Sequence, residues 1–128
     1  MTIEVALTAS QIVVQVCLLL IAAIAIFGGL LQMYLGQPDT SPRLDNVHRF
    51  MAGVYLAMGL MGVWAALTIG QQGVLVYFLA LGAFLGGVGR LVSMAKVGLP
   101  EPRAIWLGYL VPELVLPVVI VIAHHASR

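Results

Sequence analysis

Four long apolar stretches restrict what this chain can fold into. They cover residues 12–31, 50–69, 75–94 and 104–123. Crossing the roughly 30 Å hydrocarbon core of a bilayer takes about 20 apolar residues in a helix. Backbone polar groups in hydrocarbon must be hydrogen-bonded internally, so each stretch must be helical. The sequence therefore predicts an all-α polytopic membrane protein, a bundle of four transmembrane helices.

Composition agrees with a membrane setting. The 128 residues are 62% apolar and 9% charged, whereas soluble domains are about 45–50% apolar and about 25% charged. The length predicts a single domain, residues 1–128. The net charge of +1 gives no reason to expect a nucleic-acid partner.

The polar linkers predict the orientation. We expect loops at residues 32–49 and 95–103, with Asp45 or Asn46 capping the second helix. Five of the six basic residues lie at or near these linkers: Arg43, Arg49, Arg90, Lys96 and Arg103. Positive charge favours the cytoplasmic side, so both loops are predicted to be cytoplasmic and both termini to lie outside.

Two charged residues lie inside the predicted spans. Arg90 falls six residues before Lys96, about 9 Å from the membrane boundary, and Glu113 falls ten residues after Arg103, about 15 Å deep. An arginine side chain can bridge a gap of this size. Charges inside spans usually face the bundle interior or a cavity. We therefore expect Arg90 and Glu113 to pair.

Such a pair has two interpretations. It can be a buried strut that fixes how the helices align, which requires no ligand. It can also belong to a polar pocket open to the cytoplasmic leaflet. The residues predicted to line that pocket are His48, Arg49, Arg90, Tyr109 and Glu113. Arg49 also has the simpler interpretation of reaching lipid headgroups.

The third span carries a stripe of small residues. Gly82, Gly86, Gly89 and Ser93 recur at helical spacing and lie on one face. Gly82 and Gly86 form a GxxxG pair, which lets two helix backbones approach closely. We expect this face to pack inside the bundle; the alternative is an interface with another protein.

No residue pattern predicts catalysis or a cofactor. The serines have no neighbouring His–Asp arrangement, and GxSxG, HExxH and P-loop motifs are absent from the sequence. His48 and His124 are predicted on opposite sides of the membrane, so they cannot ligate one haem iron within one copy. We expect no catalytic, metal or cofactor site.

Several short motifs resemble a known family. They include His48-Arg49-Phe50, Gly86-Gly87-x-Gly89-Arg90 and Gly108-Tyr109-x-x-Pro112-Glu113. In this order they resemble an uncharacterised bacterial family of four-span membrane proteins, domain of unknown function 4345. The resemblance implies a four-helix bundle in a bacterial inner membrane and implies no activity.

Three functions are compatible with these features. The first is an accessory or scaffold subunit that associates with a larger membrane complex, since small size and small-residue faces require no chemistry. The second is a binder or carrier of a lipid or small amphiphile in the polar pocket. A membrane enzyme ranks last. The expected partners are membrane lipids and either another membrane protein or further copies of the chain.

Overall fold

The computed structural model describes residues 6–127 and confirms the four helices. They are α1 (Ala9–Leu35), α2 (Pro42–Leu67), α3 (Val74–Val97) and α4 (Arg103–Ala126). All four are long and apolar enough to cross a membrane. The protein is a multi-pass membrane protein whose fold, over the described residues, is entirely helical. We call the side with connections 36–41 and 98–102 the loop side, and the opposite side the terminal side.

The helices extend beyond the predicted spans, and the first loop is much shorter than predicted. α2 begins at Pro42, with the Ser41 hydroxyl accepting a hydrogen bond from the backbone N–H of Leu44. The prediction that Asp45 or Asn46 caps this helix is wrong, because Asp45 lies in its first turn. Hydropathy detects only the part of a helix in hydrocarbon, whereas Ser followed by Pro marks where the helix starts.

α1 and α2 pack through small residues. A Cβ atom at Gly29 would lie 2.9 Å from the backbone oxygen of Ala52. One at Gly59 would lie 2.7 Å from a side-chain carbon of Ile26. Small residues at these positions let the two backbones approach closely, which is how membrane helices gain packing energy.

The buried core lies toward the terminal side. It joins the N-terminal half of α1 to the C-terminal part of α2, the first turns of α3 and the last turns of α4. Its members include Val14, Leu18, Ala66, Val76, Leu79 and Ile120. His124 lies beside this core and donates through Nε2 to the backbone oxygen of Gly73 at 2.9 Å, which fastens α4 to the α2–α3 connection.

Toward the loop side the bundle is open. α1 packs against α2 and α4, and α3 packs against α4, but α2 and α3 have few points of approach. The side chain of Met58 on α2 reaches Gly82 on α3, and a Cβ at Gly82 would lie 2.5 Å from its terminal carbon. Beyond that point the two helices leave a cleft between them.

Candidate functional site

The cleft between α2 and α3 is the candidate site. It encloses about 360 Å³ and is lined by residues from all four helices. Most of its wall is apolar, including Ile24 of α1, Met58 of α2 and Leu79 of α3. Its polar side chains come from the first loop and from the halves of the helices nearer the loop side. The cleft therefore has an apolar floor and a polar end.

An arginine–glutamate ion pair and a tyrosine lie at the polar end of the cleft. Arg90 Nε donates to Glu113 Oε2 at 2.7 Å, and the hydroxyl of Tyr55 donates to Glu113 Oε1 at 3.3 Å. The Glu113 side chain is 8% exposed and that of Arg90 is 30% exposed. The carboxylate thus has a partner on each oxygen, whereas the guanidinium extends toward the cleft.

Two neighbouring aromatic rings lie beside the guanidinium. The central carbon of Arg90 lies 5.6 Å from the ring centroids of both Trp106 and Tyr109. A cation within about 6 Å of an aromatic ring is attracted by the ring quadrupole. Both rings belong to the first two turns of α4, so this helix supplies the carboxylate and both aromatic contacts. The arrangement holds the arginine in place while 30% of its side chain stays exposed.

A second polar group closes the cleft at the loop side. His48 Nε2 lies 2.6 Å from Gln32 Oε1, to which it donates in this arrangement. The amide nitrogen of Gln37 lies 3.2 Å from the same histidine nitrogen. All three side chains line the cleft. They bridge the end of α1, the first loop and the second turn of α2.

The structure brings together four of the five predicted pocket residues. Arg90, Tyr109, Glu113 and His48 line one cavity, whereas Arg49 lies outside it. Arg49 pairs with Asp45 at 3.0 Å and donates through Nη1 to the backbone oxygen of Met33. Its role is to bind free carbonyls at the C-terminal end of α1, which a cation stabilises.

The internal packing predicted for the stripe on α3 is not what the structure shows. A Cβ atom at Gly86 or Gly89 would meet nothing within 4 Å, and Gly86, Gly89 and Ser93 are exposed. Gly82 alone meets a neighbour, the flexible end of Met58. The close contact of α3 with α4 uses Gly87 instead, where a Cβ would lie 2.8 Å from Leu114.

Three residues of the site were not predicted from the sequence: Tyr55, Gln32 and Gln37. Tyr55 lies in an uncharged span, where one tyrosine gives no sign of which face it occupies. Gln32 and Gln37 lie at a span boundary, where polar residues are ordinary. Their polarity was visible, but their convergence on His48 depends on how α1 and α2 pair.

Comparisons with known proteins identify the family. No curated protein and no solved structure matches the chain. The family model for a domain of unknown function, DUF4345, matches residues 6–124. That range includes all four helices except the last two residues of α4. The chain therefore belongs to the DUF4345 family.

Proposed function

We propose that this protein binds a lipid or another small amphiphile in the cleft between α2 and α3. The apolar tail would lie along the floor toward Leu79, and the head would lie at Arg90. The observation that carries the proposal is the cleft itself, an apolar cavity with polar groups gathered at one end. Small-molecule sites are commonly cavities of about 300–1,000 Å³ with such a lining.

The size of the cleft favours a slender ligand. A volume of about 360 Å³ lies near the lower end of the range for small-molecule sites. From Arg90 to Leu79 is eleven residues of α3, which corresponds to about 16 Å along the helix axis. A long and narrow space of this kind suits one hydrocarbon chain better than the paired chains of a phospholipid.

The arginine supports a ligand more than a purely structural pair. A purely structural ion pair needs no ligand when its polar groups are fully hydrogen-bonded to one another. Here both oxygens of the carboxylate accept hydrogen bonds, whereas within residues 6–127 the Nη1 and Nη2 atoms of Arg90 form none within 3.5 Å. Donors facing an apolar cavity are costly unless something accepts from them. A ligand head supplies that acceptor.

A second candidate function is an accessory subunit of a larger membrane complex. The observation that favours it is the exposed face of Gly86, Gly89 and Ser93 on α3. Such a face allows close approach of a helix from another protein. The two candidates differ at Gly89, which lies on this face but outside the cavity.

We also propose a location in the bacterial inner membrane, with the loop side in the cytoplasm. The excess of Lys and Arg on the loop side supports this orientation. The polar end of the cleft would then open toward the cytoplasmic leaflet.

Native mass spectrometry of the purified protein tests amphiphile binding. We expect one small molecule retained per chain in the wild type. Gly86→Leu places a side chain in the cavity and should abolish retention. Gly89→Leu is the matched control, because both glycines face open space and only Gly86 lines the cavity. Equal retention by both variants, or none in the wild type, would refute the proposal.

A further inference from the structure

The charges around the cleft restrict the ligand head, on the premise of the proposed function that the cleft binds an amphiphile. The charged groups in its lining are one cation, Arg90 of α3, and one anion, Glu113 of α4. The titratable residues beside them are Tyr55, Tyr109 and His48. The cation and anion are in direct contact at 2.7 Å. Arg90 and Glu113 together contribute no net charge to the lining.

The groups that remain available are hydrogen-bond donors. Both oxygens of Glu113 already accept hydrogen bonds, from Arg90 and Tyr55. Arg90 uses Nε for its pair, and its Nη1 and Nη2 atoms form no further hydrogen bond within 3.5 Å in the described part of the chain, although the Tyr55 hydroxyl lies near the guanidinium. A guanidinium carries five N–H donors and no acceptor. The head that fits must therefore accept hydrogen bonds.

The charge of the ligand head then determines which of the hydrogen-bond-accepting heads fits. An anionic head would bring a second negative charge close to Glu113, with only Arg90 to offset both. The resulting net charge would lie in apolar surroundings, where an unpaired charge is costly. A cationic head would be repelled by the guanidinium. It also could not reach the carboxylate, which is buried and already hydrogen-bonded. A neutral oxygen leaves the Arg90–Glu113 pair intact.

We infer that the cleft selects amphiphiles with one hydrocarbon chain and a neutral, oxygen-bearing head, such as a hydroxyl or carbonyl group. The head oxygen accepts hydrogen bonds from the terminal nitrogens of Arg90. Glu113 acts as the specificity residue, because its charge rejects anions that the arginine alone would attract. Charged groups placed in this way commonly determine which partner is excluded.

Three photoactivatable probes test this selectivity. They share one 16-carbon chain with a diazirine near its end and carry a hydroxyl, a sulfate or a trimethylammonium head. The protein is placed in nanodiscs of neutral lipid, and labelled cleft residues are counted by peptide mass spectrometry. We expect the hydroxyl probe to label the cleft at least about tenfold more than either charged probe, since one unit charge shifts binding by this order at close range.

The variant Glu113→Gln reverses the expected preference. Among the described residues that line the cleft, it removes the carboxylate and keeps the Arg90 guanidinium, so the sulfate probe should overtake the hydroxyl probe. If this variant does not fold, the ranking of the three probes by their labelling of the wild-type cleft is sufficient to test the inference. Equal or stronger labelling of the wild type by the sulfate probe would overturn the neutral-head inference while leaving amphiphile binding intact. Absence of cleft labelling by all three probes would overturn the proposed function, and the inference with it.

Discussion

Arg90 and Glu113 meet across the α3–α4 pair, with the arginine Nε 2.7 Å from the glutamate Oε2. The contact joins residues 23 positions apart in the chain. Its two members differ in surroundings, because the carboxylate is buried and nearly a third of the arginine side chain is exposed. This asymmetry determines how each partner responds to loss of the other.

Removing the arginine should destabilise the protein more than removing the glutamate. Arg90→Met leaves a buried carboxylate without its cation, and breaking a buried pair from one side commonly costs about 3–5 kcal/mol. Glu113→Gln leaves an amide that still accepts hydrogen bonds, and the remaining arginine reaches the cleft. Thermal unfolding in detergent measures both variants. The double variant should recover much of the loss, and additive losses would show that the two side chains do not interact.

Tyr55 should contribute to the stability of the protein through its hydroxyl group, and Tyr109 through its aromatic ring. Tyr55→Phe removes a hydrogen bond to Glu113 and should cost about 0.5–1.5 kcal/mol. Tyr109→Phe keeps the ring beside Arg90 and should be nearly neutral. The pair of variants compares the same loss of one oxygen at two places in one cleft. Equal unfolding temperatures for the two would contradict the bond from Tyr55 to Glu113.

Two adjacent glycines of α1 should differ sharply in their tolerance of a methyl group. Gly29→Ala would place Cβ 2.9 Å from the backbone oxygen of Ala52, which cannot rotate away. Gly28→Ala would place Cβ 3.6 Å from the Tyr55 ring, an ordinary contact. We expect Gly29→Ala to cost about 1–3 kcal/mol in unfolding free energy, as overpacking commonly does. A similar cost at Gly28 would show that α1 and α2 pair differently.

Much of the fold could be predicted from the sequence because the bilayer leaves few choices. A stretch of about 20 apolar residues must be a helix, and charges as costly as Arg90 and Glu113 must find a partner or a cavity. Helix ends were harder to predict from the sequence, since the first turns of α2 lie outside the hydrocarbon and carry ordinary polar residues. Ser41 and Pro42 were the available signal for its start.

Which helix face turns inward was harder to predict. Gly86 and Gly87 differ by one residue, a rotation of about 100° around α3 at 3.6 residues per turn. Both positions are glycine, and a run of small residues does not indicate which of them meets a neighbouring helix. The structure turns Gly87 toward Leu114 and leaves Gly86 at the cleft. The polar end of the cleft was predicted, but its position between α2 and α3 was not, since that depends on the separation of these two helices.

The orientation of the protein is open to a direct test. An alkaline phosphatase fused after Arg128 should be active in a bacterial host, because the charge bias predicts a C-terminus outside the cytoplasm. A green fluorescent protein that matures only in the cytoplasm should be dark at the same position. The same reporters fused after Lys96, at the loop side, should give the opposite pattern. A bright fluorescent fusion at the C-terminus would show that the orientation in the membrane is the reverse of the predicted one.

Whether the space between α2 and α3 holds an amphiphile can be seen in a crystal structure of the protein grown from a lipidic mesophase. We predict elongated density between the two helices, running past Gly86 and ending within hydrogen-bond distance of the Arg90 guanidinium. Direct packing of α2 against α3, with Gly86 buried between them and no room for a ligand, would contradict the account.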